Sequence, residues 1–182
     1  NNAALFKRGQ DRVLEPLIRS GDIEVVHEDW AEDWKPENAK RIVNAAITAN
    51  GPRIDAVLAS NDGTAGGAIQ ALSEEGLAGK VLVTGQDAET VALQRIAVGT
   101  QAMTIYKPLR TLASGAAELA VQMAQRRVVV AGKSVDNGHG QVPSVLFDVV
   151  TVTRDNMLDT VVRDGQATYD DVYRGIPDAQ RP

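Results

Sequence analysis

The stretch Asp55-Ala56-Val57-Leu58-Ala59-Ser60-Asn61-Asp62-Gly63-Thr64-Ala65-Gly66-Gly67-Ala68-Ile69-Gln70-Ala71-Leu72 decides the fold class. Residues 55–60 are a short apolar run of strand length without alternation, the pattern of a strand covered on both faces in a parallel sheet. Asn61-Asp62 then stands where a helix cap belongs, and Ala68, Ile69 and Leu72 follow at helical spacing towards Gly76. A strand that runs straight into a capped helix is the first half of a βαβ unit.

The same alternation extends to both sides. Upstream, Leu5, Phe6, Val13, Leu14, Leu17 and Ile18 predict a helix over 4–18 that ends at Ser20-Gly21, and 23–26 reads as a short strand. Pro36 opens a second helix, with Ile42, Val43, Ala46 and Ile47 on one stripe and Asn50-Gly51 closing it. Downstream come a strand over 80–84, a helix over 88–98, a strand over 101–106 and a helix over 108–125. Strands alternating with such helices mark right-handed crossovers on a parallel sheet. The fold class is therefore α/β, a doubly wound parallel sheet in three αβα layers. Past Arg127 the rhythm breaks. Residues 131–143 read as a Gly-rich connection, 144–151 as a strand, and Thr153 with Asn156 as the cap of a helix through Val162. The polar tail from Asp164 predicts irregular chain.

Composition narrows the function classes. The chain has 182 residues, 43% hydrophobic, enough for one core of ordinary domain size. A net charge of −5, with Lys and Arg scattered among Asp and Glu, argues against a nucleic-acid surface. No run approaches the ~18 apolar residues of a membrane span. Cysteine is absent, which removes disulfides, thiolate metal sites and a cysteine nucleophile. Asn1-Asn2-Ala3-Ala4 carries no initiator Met and no signal peptide, and the expectation is a truncated, processed or split chain.

In doubly wound sheets, ligands sit beyond the carboxyl ends of the strands. Here those ends deliver Asn61-Asp62, Gly85-Gln86-Asp87 and Lys107-Pro108: an amide, a carboxylate and an ammonium at equivalent places. Such a set suits a polyol, since carboxylate and amide oxygens accept from hydroxyls while NH₂ and ammonium groups donate. Charge-assisted bonds of this kind contribute roughly 1.5–3 kcal/mol each. Each residue also has a plainer reading: Asn61 and Asp62 as helix caps, Gly85 and Asp87 as a turn, Lys107 as a solvated residue before a helix. The glycines at 63, 66 and 67 lack the spacing of a phosphate loop and point to close helix–sheet packing. Both tryptophans, Trp30 and Trp34, lie in the polar stretch before Pro36. Trp34, next to the helix start, is placed to lay its ring on a sugar face, and Trp30 to cover a helix flank. His27 and His139 have no metal-ligand spacing, and Ser60 has no nucleophile elbow or evident base, so catalysis is the weaker reading.

The segments 56–72, 83–88 and 99–108, together with Trp30 through Ala39, resemble the bacterial D-xylose-binding proteins of ABC importers. Asn1-Asn2-Ala3 resembles the end of that family's Asp-Asn-Asn-Ala motif, and the similarity runs to about residue 165 in family order and spacing. The resemblance implies a type I periplasmic binding protein, in which two α/β lobes joined by crossovers close on one monosaccharide and then dock on a membrane permease. It implies sugar contacts at Asn2, Trp34, Asn61, Asp87 and Lys107, no cofactor and no metal, and a location in the periplasm or on an extracytoplasmic lipoprotein anchor. It also assigns residues 1–106 and 143–182 to the C-terminal lobe and 107–142, with the hinge crossovers, to the N-terminal lobe. The helix over 108–125 then lacks its sheet, and a companion chain or upstream segment carrying the N-terminal lobe is the expected cover for its apolar face. D-xylose or a related pentose or hexose is the expected ligand. The alternatives are the effector domain of a LacI-type repressor, which shares the fold and the Ser-Asn-Asp motif, a periplasmic sensor feeding a kinase, and a sugar-processing enzyme.

Overall fold

A computed structural model describes residues 2–181. The chain packs as two compact units, Tyr106–Val150 and the remainder on either side of it.

The larger unit begins with α1 (Asn2–Ser20), longer at both ends than its apolar stripe. It stops where the periodicity predicts, because Gly21 takes φ 82° and lets the amides of Gly21 and Asp22 bond back to Ile18 and Leu17. Residues 23–26 form no strand: the Ile23 amide bonds back to the Leu17 carbonyl of α1, and strand pairing needs a neighbouring strand. Then come α2 (Pro36–Asn50), β1 (Ala56–Val57), α3 (Asp62–Glu74), β2 (Leu82–Val83), α4 (Thr90–Val98) and β3 (Thr104–Tyr106). This is the alternation the sequence predicts, with strands shortened to their ladder residues. β1 and β2 are parallel, Ala56 opposite Leu82 and Val57 opposite Val83, and the chain after β2 bonds on to the chain leading into β3.

The core lies where α2 and α3 cover the sheet. Val43 and Ala46 of α2, Ala65, Ala68, Ile69 and Leu72 of α3, Val83 of β2, and Ile54 and Val81 beside the strands form one buried cluster. The two helices meet at Gly67, where a Cβ would strike the backbone of Pro36. The unalternated run of β1 predicts cover on both faces, but Leu58 and Leu82 are 48% and 63% exposed. No residue of α1 is buried, so that helix does not seal the second face.

In the smaller unit, α5 (Leu109–Ala124) is followed by an antiparallel hairpin, β4 (Lys133–Asp136) and β5 (Gln141–Ser144). The Gly-rich stretch read as a loose connection is thus a hairpin. Asn137 accepts from the amides of His139 and Gly140, and Gly138 supplies the left-handed turn residue. No residue of α5 is buried, although Gly115 lets the Phe147 ring sit directly on the helix.

The chain returns through β6 (Val150–Val152), which lies beside β3. Residues 158–162 form a wide-bonded helical turn rather than the longer helix predicted, with Asn156 accepting from the Thr153 amide. The tail is not irregular. Thr168 caps α6 (Tyr169–Val172), and Val172 and Tyr173 are buried. The i, i+3, i+4 spacing of Tyr169, Val172 and Tyr173 was the signal, masked by the charges around it.

Candidate ligand-binding site at the strand ends

The site is built from two loops, each leaving the carboxyl end of a parallel strand. After β1, Asn61 takes an extended backbone and caps α3, its Oδ1 accepting from the Thr64 amide (2.9 Å) and hydroxyl (2.5 Å). The cap uses the oxygen, so the Nδ2 amide is not part of it. The Asp62 amide donates to the Gln86 carbonyl at 2.8 Å, stapling this loop to the one after β2. That second loop carries Asp87.

Asp87 and Ala88 both have positive φ, 105° and 52°, which side-chain-bearing residues adopt at a cost of about 1–3 kcal/mol each. This is why α4 starts at Thr90 rather than at Ala88 as the apolar pattern suggests. The strained turn is held by three amides: Asp87 donates to the Ile105 carbonyl (2.8 Å), Ala88 to the Thr104 hydroxyl (3.2 Å) and Glu89 to Asp62 Oδ2 (3.0 Å).

Asp62 is the residue the sequence reading passed over, weighing it mainly as a helix cap. It is wholly buried. Besides the Glu89 amide it accepts from Gln101 Nε2 (2.8 Å) and Thr104 Oγ1 (2.9 Å), while Arg95 reaches its carbonyl (2.7 Å) and Gln101 Oε1 (2.9 Å). A buried carboxylate persists only when its oxygens are satisfied in this way. Gly85 makes room for the cluster, since a Cβ there would strike Asp62 Oδ1 and the Gln101 amide. Burial pushes the Asp62 carboxyl up from its ordinary 3.8, against the hydrogen bonds from Glu89, Gln101 and Thr104 and the charge of Arg95. Burial likewise lowers Arg95, with Asp62 and Glu89 opposing. The polar Gln101 and Thr104 in a strand-like run were the available signal, but that both face inward is a matter of packing.

Trp34 is half-buried and meets Phe6 edge-on, ring centroids 6.1 Å apart, whereas Trp30 is 57% exposed. Pro36, two residues on, lies over Gly63 and Gly67 at the start of α3, so the tryptophan loop is tied to the same end of the sheet. Gln10 of α1 donates to the Ser60 hydroxyl at 3.1 Å. Asn2, Phe6 and Gln10 are spaced four apart and share one face of α1, so the face carrying Asn2 is the one turned to this edge. The structure thus gathers Trp34, Asn61 and Asp87 around the ends of β1 and β2 and puts Asn2 at the tip of α1. Lys107 follows directly on β3 and stands in the other unit.

Polar and aromatic side chains at the carboxyl ends of parallel strands are the arrangement that small-ligand binding folds present. A periplasmic binding protein domain matches residues 1–127, and the chain belongs to that family. It is 52% identical over 165 residues to the D-xylose-binding periplasmic protein of Escherichia coli K12, covering 91% of this chain and 50% of that protein. With the D-xylose-binding periplasmic protein of Haemophilus influenzae it shares 49% identity over 173 residues, 95% of this chain and 52% of the relative. Among solved structures it is similar to a carbohydrate transporter solute-binding protein from Chloroflexus aurantiacus in complex with D-glucose. That match has TM-score 0.83 and 33% identity over 94% of this chain and 58% of the other. An ABC transporter solute-binding protein from Clostridium phytofermentans with bound β-D-glucose superposes with TM-score 0.78, at 33% identity over 94% of this chain and 56% of that one. The chain spans about half the length of the curated relatives it matches.

Proposed function

We propose that this chain is the C-terminal part of the substrate-binding component of a bacterial ABC sugar importer. In this reading it works outside the cytoplasmic membrane, binds a monosaccharide between two lobes and hands it to a membrane permease, without catalysing a reaction. D-xylose is the proposed ligand. The observation that carries the reading is the placement of Trp34, Asn61 and Asp87 around the ends of adjacent parallel strands, in a chain 52% identical to a D-xylose-binding protein. Trp34 offers a ring face to the sugar's C–H face, the Asn61 amide donates to a hydroxyl, and the Asp87 carboxylate accepts from one or two. Asn2 and Lys107 complete the set, Lys107 from the hinge. Residues 1–106 and 143–182 form the C-terminal lobe in this reading, and 107–142 belong to the N-terminal lobe, whose remainder covers α5.

Micromolar affinity corresponds to about −8 kcal/mol, which a few charge-assisted bonds in a closed cleft supply. Calorimetric titration of the full-length protein with D-xylose is expected to give a saturable heat with 1:1 stoichiometry. Absence of heat with any pentose or hexose overturns the assignment.

A further inference from the structure

The cluster beneath the strand ends bonds to the two amides that follow Asp87, one of the residues read as sugar contacts. We propose that buried Asp62 and Thr104 form a positioning device that fixes the backbone of the Asp87 turn and so aims the Asp87 carboxylate at the ligand. The proposal rests on the reading of Asp87 as a sugar contact.

Three observations carry it. Asp87 and Ala88 are consecutive side-chain-bearing residues in the left-handed region, a turn that persists only where its surroundings over-determine it. The amides of Ala88 and Glu89 are held by the Thr104 hydroxyl and by Asp62 Oδ2, both fully buried groups. The two holders are themselves coupled. A hydroxyl has one proton, and Thr104 gives it to Asp62 Oδ2 at 2.9 Å, which turns a lone pair towards the Ala88 amide. Asp62 Oδ1 is anchored separately by Gln101 Nε2, whose amide orientation is set by its own bonds: Oε1 accepts from Arg95 and Nε2 also donates to the Met103 carbonyl. A network that only filled space would have no reason to end on the amides of a strained turn at a strand end.

The test uses the full-length protein and a pair of variants at one position. Thr104→Val keeps the shape and removes the hydroxyl; Thr104→Ser keeps the hydroxyl. Amide hydrogen exchange at Ala88 and Glu89 in Thr104→Val is expected to rise about tenfold relative to wild type, and D-xylose affinity to fall about tenfold, the scale of one lost hydrogen bond. Thr104→Ser restores both. In an Asp87→Ala background Thr104→Val changes affinity no further, because the residue it acts through is gone. Should Thr104→Val not fold, Asp62→Asn replaces it in the same measurements. An unchanged Ala88 amide with unchanged affinity, whatever the loss in Tm, overturns the proposal, as does an affinity loss that persists in full in the Asp87→Ala background. If wild type binds no monosaccharide, the sugar reading fails by itself, and exchange at Ala88 and Glu89 alone then decides whether Asp62 and Thr104 hold the turn.

Discussion

Asn61 caps α3 with one end of its amide, and the proposed function gives the other end a second job. Its Oδ1 satisfies the first turn of α3 by accepting from Thr64, and Nδ2 is the proposed donor to a ligand hydroxyl. The jobs are separable. Asn61→Ala should lower stability by about 0.5–2 kcal/mol, the usual cost of a lost cap. Asn61→Asp keeps an accepting oxygen, so its stability should stay within about 0.5 kcal/mol of wild type while D-xylose affinity falls for want of the NH₂ donor. Urea melts and calorimetry on the same two variants check this; equal stability losses in both would remove the cap from the account. The neighbouring Asp62 shows the opposite economy, with every contact turned inward and none left for solute. Sequence reading could name Asn61 because a cap sits at a predictable place, but it could not rank Asp62. An aspartate after a cap is solvated in most chains, and only the buried surroundings of Gln101, Thr104 and Arg95 make this one a hub.

At the scale of elements, α2 and α3 are set by small residues as much as by large ones. Gly67 faces the Pro36 backbone so closely that any Cβ must push the helices apart. Gly67→Ala is expected to cost about 1–3 kcal/mol, despite the better helix propensity of alanine. Gly66→Ala, which meets a side chain, the Arg95 guanidinium at 3.1 Å, rather than backbone, should cost less. Denaturation midpoints of the two variants decide it, and a Gly67→Ala protein as stable as wild type would contradict the packing. Helix existence was legible as far as α5, from Pro36 and Gly51 around α2 to Gly99 after α4. One boundary and one short helix were not. The start of α4 is delayed by the strained turn at Asp87, and α6 is hidden in a polar tail whose Val172 and Tyr173 pack beside α4, where Gln94 donates to the Asp171 carbonyl at 2.8 Å. Periodicity reports a face; it does not report what the face meets.

For the whole molecule, burial is uneven. α3 contributes eight buried residues, whereas no residue of α5 is buried. Local opening free energy follows such burial. In this chain by itself, amides of α5 are therefore expected to exchange at least about tenfold faster than those of α3, measured by native-state hydrogen exchange. Equal protection in both helices would mean that the exposed apolar side chains Leu112, Val121 and Met123 find cover elsewhere.

The sequence by itself determined the α/β class, the alternation of strands and helices, and the places where polar side chains reach a strand end. These are local properties of period, caps and turn residues, and short-range physics suffices for them. Only the tertiary structure decided that Asn61 and Asp87 stand on loops stapled by one backbone bond, that Trp34 leans on Phe6, and that the carboxylate beneath them is Asp62. Those facts depend on which buried polar groups find partners across the chain, and partners as distant as Asp62 and Thr104 have no period to reveal them.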